Sequence, residues 1–267
     1  MKRFAPLAFL SLSALLPVAA PAFGACASDS GVVIYYGNGM FISPARARVQ
    51  ALLMDQKIRP ALPAGAKVTF SYAYNPSEDD INQALQAAAQ AASGTTVKVP
   101  SWLKVPSSAP TSFTNAVKNL EQSANPDTYV KDGDLTAHVA LYSAKLGAGK
   151  RVIVVAHSQG NFYANKAYDR LSSKTGFAIV SVGTPASFTA GNGPYTTLTN
   201  DQIIEPVPNR RAPNTTNGSA FVKATKGSDG HSFTSQYLDG DVSGPKIVAQ
   251  VTSTLASLTC PLGKSAP

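Results

Sequence analysis

Histidine and cysteine are scarce: the 267 residues include three histidines and two cysteines. So few soft or imidazole ligands exclude a cysteine-rich zinc site and a dense disulfide scaffold. Charge is thin as well, at 14% of residues, yet 44% are hydrophobic, so the chain is no disordered polymer. The net charge of +8 is scattered rather than clustered, which gives no case for nucleic acid. Beyond the first two dozen residues no run of eighteen apolar residues occurs, so no later membrane span is expected. Repeats and heptads are absent too.

The N-terminus is different. Met1-Lys2-Arg3 precedes an apolar stretch from Phe4 to about Val18, and small residues follow through Ala25. That pattern predicts a signal peptide over residues 1–25 and a secreted or periplasmic mature chain. Pro6 and Pro17 interrupt the apolar stretch, which is short for a bilayer span. Removing Lys2 and Arg3 takes two charges from +8 and leaves +6, enough to favour transient contact with an acidic membrane or lipid surface. Cys26 and Cys260 are then the two cysteines of an oxidised chain, and a disulfide between them ties the ends together. Closing so long a loop is worth up to about 5 kcal/mol in the chain-entropy account. The alternative is a lipoprotein anchored through Cys26.

Residues 26–267 read as one domain. Gly31–Tyr36, Val68–Tyr74, Val152–Val155, Phe177–Val182 and Tyr195–Thr199 are short β-branched or aromatic runs. Between and after them, helical patterns cover Pro44–Gln56, Ser77–Ala92, Ser112–Gln122, Leu135–Leu146, Asn161–Arg170 and Gly244–Leu258. In the first of these, Ala45, Val49, Leu52 and Leu53 form the expected buried stripe. Residues 93–111, with Pro100, Pro106 and Pro110 around Trp102, read as an irregular insertion or lid, and Pro206–Gly218 as a polar loop. Strand–helix alternation with continuously apolar strands predicts an α/β fold, a mostly parallel central sheet with helices on both faces. Functional groups in such sheets gather at the carboxyl ends of the strands.

The sharpest local feature is Ala156-His157-Ser158-Gln159-Gly160, which follows the most apolar strand and opens a helix. A nucleophile elbow needs this strand–turn–helix context and small residues two positions either side of the serine. The competing reading is that Ser158 only caps the helix. A serine nucleophile needs a base, and the candidates are His138, His157 and His231. His157 lies inside the elbow, where its side chain is expected to point away from the hydroxyl, and His138 sits in a helical run. His231, in a Gly/Ser-rich loop after the last strand, is the expected base. The acid that orients it is expected to be Asp201, after the strand that follows Phe177–Val182, with Asp229, Glu205, Asp239 and Asp241 as rivals. An acyl-transfer site also needs backbone donors for an oxyanion. Gln159 supplies one, and the loop Gly37-Asn38-Gly39-Met40 supplies the other through Met40 or Gly39.

At these residues the chain resembles the α/β-hydrolase superfamily, specifically secreted bacterial serine esterases and lipases. The elbow is similar to that of small secreted lipases, with alanine for the first glycine. Asp201-Gln-Ile-Ile-Glu-Pro-Val-Pro is similar to the Asp-x-Val-Pro segment of the class 3 lipases. Gly37-Asn38-Gly39 resembles the oxyanion loop of many hydrolases, with asparagine where they have histidine. The resemblance implies an α/β-hydrolase fold and hydrolysis of an ester or lipid substrate through an acyl-enzyme on Ser158, with no metal or organic cofactor required. Two alternatives stay open: an acyltransferase or polyester depolymerase using the same triad, and a non-catalytic binding protein on this scaffold. Nothing in the sequence sets an oligomeric state.

Overall fold

Five short strands build one sheet, the three middle ones apolar and buried on both faces and the two edge strands partly exposed. The computed structural model describes residues 31–39, 42–75, 132–205, 210–226 and 229–260. The strands are β1 (Val32–Gly37), β2 (Val68–Ala73), β3 (Arg151–His157), β4 (Phe177–Val182) and β5 (Tyr195–Thr196). Their order is β2-β1-β3-β4-β5, and every pairing is parallel. The fold is therefore α/β, with β3 at the centre of the sheet.

Alternate residues feed two cores. Val32, Ile34 and Tyr36 of β1, Ile153 and Val155 of β3, and Val180 and Val182 of β4 pack on one face. They meet helix α1 (Pro44–Ile58) and the C-terminal helix, here α5 (Ser243–Ser257). Val33, Tyr35, Val152, Val154 and Ile179 face the other way, against α2 (Asp132–Gly147) and α3 (Gly160–Arg170). A short α4 (Ser219–Ala224) and a π-helical turn (Phe233–Leu238), neither of which the sequence pattern announces, complete the described elements used below. The helix after β1 and the helix after β3 lie on opposite faces, so the carboxyl ends of these neighbouring strands mark the topological switch point of the sheet.

Two expectations need correction. Helix α1 is present, capped by Ser43 Oγ accepting from the Arg46 N–H at 3.3 Å. Its buried face, however, is Ala47, Gln50, Ala51, Met54 and Ile58, while Val49, Leu52 and Leu53 are 51%, 54% and 40% exposed. Two stripes satisfy helical periodicity here, and the helix lies against β1 and β2 on the stripe with the small Ala47 and Ala51. The strand expected over Tyr195–Thr199 ends at Thr196. Beyond it Leu198 forms an isolated parallel bridge with Thr215, and side chains fill in: Thr197 N–H donates to Asn214 Oδ1 at 3.1 Å, and Thr184 N–H donates to Thr197 Oγ1 at 3.2 Å.

The signal peptide, Cys26, the helices expected at Ser77–Ala92 and Ser112–Gln122, the insertion at 93–111 and Met40 lie outside the described residues. Among the described residues no helix is long and apolar enough to cross a membrane.

Candidate active site

Strand β3 runs buried into Ser158, whose φ of +54° places a non-glycine residue in the left-handed region. Such strain persists only where the surroundings over-determine it. Here they do. Ser158 N–H donates to the Val182 carbonyl at 3.1 Å. The Asn161 amide donates to the Ser158 carbonyl at 2.9 Å and to the Val182 carbonyl at 3.2 Å. On the other side the β1 turn presses in. A Cβ on Gly160 would lie 2.6 Å from the Gly37 carbonyl oxygen, and one on Gly39 would lie 2.7 Å from Ser158 Cβ. Both glycines are required by close approach of backbone, not by their own torsions.

The structure brings Ser158, His231 and Asp201 into one hydrogen-bonded line. His231 Nδ1 lies 2.9 Å from Asp201 Oδ2 and 3.1 Å from Oδ1, and His231 Nε2 lies 2.9 Å from Ser158 Oγ. With Nδ1–H donating to the carboxylate, Nε2 is left as the acceptor for the serine hydroxyl. The Asp201 side chain is 0% exposed and that of His231 15%. Burial works against charge on His231, but the Asp201 charge and hydrogen bond, helped by the Asp229 charge, outweigh it and raise its pKa above the usual value.

The rivals fall elsewhere. Asp229 Oδ1 accepts the backbone N–H of His231 at 2.9 Å, and its carbonyl accepts Gln202 N–H at 2.9 Å, so it shapes the loop that carries His231. Gly230, with φ of +76°, lets that loop pass the Asn200 carbonyl closely. Glu205 is exposed, Asp239 pairs with Lys57 at 3.7 Å, and Asp241 accepts from the Gly218 N–H. His138 is a core residue: its Nε2 donates to the Tyr74 carbonyl at 3.0 Å, its ring packs near Tyr142 and Tyr163, and burial lowers its pKa.

His157 requires more than the sequence reading allowed. Its ring does not bond to the serine hydroxyl, but it borders the site instead of leaving it. Nε2 donates to the His231 carbonyl at 2.9 Å, and the two rings stand 4.7 Å apart. Burial and the neighbouring His231 hold its pKa well below the usual value.

Of the expected oxyanion donors, Gln159 is buried at the amino end of α3, and Gly39 lies directly over Ser158. Two further residues escaped the sequence reading. Asn75, just past β2, is hydrogen-bonded to Asn38, and Tyr237 donates to Asp201 Oδ2 at 2.6 Å. Both contacts link residues more than thirty positions apart, and no local pattern announces them. Among the described residues no group of three or more histidines, cysteines, aspartates or glutamates is placed to hold a metal ion. No family model, no curated protein and no solved structure matches the chain.

Proposed function

We propose that this chain is a secreted serine hydrolase of α/β-hydrolase fold that cleaves carboxylic esters through an acyl-enzyme on Ser158. The observation that carries the reading is the Ser158–His231–Asp201 line, with hydrogen bonds of 2.9 Å at each end, set on a left-handed strand-to-helix turn. The strand order β2-β1-β3-β4-β5 is compatible with it but is shared with other doubly wound sheets, so the turn and the triad bear the weight.

In this reading Ser158 Oγ attacks the ester carbonyl carbon as His231 Nε2 takes its proton. Asp201 stabilises the resulting imidazolium without itself accepting the proton. The tetrahedral oxyanion is held by backbone N–H groups, that of Gln159 after the nucleophile and that of Gly39 or Met40. His231 then returns the proton to the departing alkoxide, leaving the acyl-serine. Water, deprotonated by His231, attacks that ester, and the acid leaves as Ser158 regains its hydrogen. An alcohol in place of water gives the acyltransferase variant, which product analysis with added alcohol distinguishes.

The test is labelling with a fluorophosphonate probe and mapping of the adduct by peptide mass. The expected result is a single adduct on Ser158, absent in Ser158→Ala and nearly absent in His231→Ala. Asp201→Asn should slow labelling by on the order of 10³–10⁴-fold, whereas Asp229→Asn, which loses a loop contact and the smaller of the two charges acting on His231, should slow it far less. A folded wild-type protein that takes no label, or takes it elsewhere, overturns the reading.

A further inference from the structure

The acid of the triad has a fourth partner. The π-helical turn Phe233–Leu238 begins two residues after His231, and wide turns of this kind often mark functional positions. Tyr237 N–H donates to the Ser232 carbonyl at 3.2 Å and Asp239 N–H to the Thr234 carbonyl at 2.9 Å, both five residues back. Phe233 faces Tyr36 and His157, with ring centroids 4.5 and 5.4 Å away. Tyr237, one wide turn later, is fully buried and reaches Asp201 Oδ2 at 2.6 Å. Ser243 Oγ donates to the Tyr237 carbonyl at 2.8 Å and to the Gln236 carbonyl at 3.1 Å, pinning the end of the turn.

We infer that Tyr237 is a positioning residue whose hydroxyl fixes the Asp201 carboxylate and sets how strongly it holds His231. This inference rests on the proposed hydrolase reading for its kinetic consequences, and on geometry alone for the contact. The hydroxyl has one hydrogen and two neighbours. It accepts Leu198 N–H at 3.2 Å, so its own proton goes to Asp201. Burial and the adjacent Asp201 push the phenol's ionisation well above its usual range, so the donor stays a donor. Gly183 leaves the room: a Cβ there would lie 3.0 Å from the Tyr237 oxygen.

Asp201 Oδ1 already accepts the N–H groups of Ile203 and Ile204 at 3.2 and 3.1 Å. Oδ2 carries the shorter contact to His231, and Tyr237 is its other donor. A phenol donating to that oxygen disperses its charge and fixes its direction. Without it, the carboxylate is freer to turn and attracts the imidazolium more strongly. The groups facing the Asp201–His231 pair are Ser158, His157 from β3, Asp229 from the loop and Tyr237, and only Tyr237 bonds the carboxylate from the π-helical turn.

The experiment measures the rate of Ser158 labelling by the fluorophosphonate from pH 5 to 9 in wild type and Tyr237→Phe. Alongside it, proton NMR follows the low-field hydrogen shared by His231 Nδ1 and Asp201. The variant should label about tenfold more slowly, the scale of one hydrogen bond to a charged group. Its acid limb should rise by about half a pH unit, because the less dispersed carboxylate holds the proton on His231 more tightly. The low-field hydrogen should shift. Site-specific 3-fluorotyrosine at position 237 keeps the ring and strengthens the donor, so it should move the acid limb the opposite way and remains readable if the phenylalanine variant folds poorly. An unchanged rate, limb and low-field signal in both replacements would overturn the inference while wild-type labelling still upheld the hydrolase. No labelling of wild type would overturn the hydrolase, and the NMR signal would then decide the Tyr237 contact by itself.

Discussion

Asn75 and Asn38 grip each other across the carboxyl ends of β2 and β1. Asn75 N–H donates to Asn38 Oδ1 at 2.8 Å, and Asn75 Nδ2 donates to the Asn38 carbonyl at 2.9 Å. Asn38 Nδ2 returns bonds to the Gly39 carbonyl at 3.1 Å and the Asn75 carbonyl at 3.3 Å. Side-chain amides thus continue the pairing of β1 with β2 after the strands end, and they do so beside the peptide that lies over Ser158.

Replacing Asn38 by alanine removes the acceptor of a buried backbone N–H, a cost of about 1–3 kcal/mol for the group left unpaired. Asn75→Ala keeps that N–H bonded and loses only the Nδ2 donation to the Asn38 carbonyl, so it should cost less. Urea unfolding of both variants checks the order. Asn38→Ala should also slow Ser158 labelling, because the Gly39 peptide is no longer held. Equal midpoints and equal labelling in wild type and Asn38→Ala would remove the clamp from the account.

Ser158 stands in a conformation that glycine adopts freely and other residues do not. Ser158→Ala and Ser158→Gly both lose the hydroxyl and its bond to His231, but only glycine relieves the left-handed backbone. Glycine ordinarily costs stability relative to alanine; here the order should invert, with Ser158→Gly more stable by about 1 kcal/mol after its greater chain entropy is subtracted from the strain relieved. Thermal unfolding of the two variants measures the difference directly. Ser158→Ala being the more stable would mean that the turn stores no such strain.

Legibility followed sequence distance. Strand β3, Ser158 and Gly160 occupy ten consecutive positions, so apolar run, turn and helix start were readable together. His231 was reachable because only three histidines exist, and Asp201 because it follows the strand beside β4. What was hidden depends on partners. Helix α1 offers two apolar stripes, and only contact with β1 and β2 selects Ala47, Ala51 and Met54 over Val49, Leu52 and Leu53. Tyr237 reads as an ordinary core tyrosine until the π-helical turn aims it at Asp201. Asn75 reads as a turn residue before Pro76, and its role appears only when β2 is set beside β1. His157 reads as a turn residue inside the elbow, and its contact with the His231 carbonyl appears only with the loop in place.

The three histidines should give this protein a stability maximum near pH 6.5, and their signs decide it. His157 and His138 are buried with pKa values held below the usual one, by burial first in each case. As pH falls through about 6.5, the unfolded chain takes up protons that the folded one refuses, so stability drops by about 1.4 kcal/mol per pH unit for each until the folded values are reached. His231 behaves oppositely. Its folded pKa is raised, so its contribution is complete below about 6.5 and is lost as pH climbs through that higher value. Urea unfolding at pH 5.5, 6.5 and 8 should therefore show a dome. His157→Gln should flatten its acid side, and His231→Ala should flatten the alkaline one. Reactivity follows a different rule: on the proposed hydrolase reading His231 must be neutral to take the Ser158 proton, so labelling should rise over the same interval in which its pairing with Asp201 ceases to stabilise the fold. A labelling limb below pH 6, or stability still rising from pH 6.5 to 8 in wild type, would contradict the assigned direction of the His231 shift.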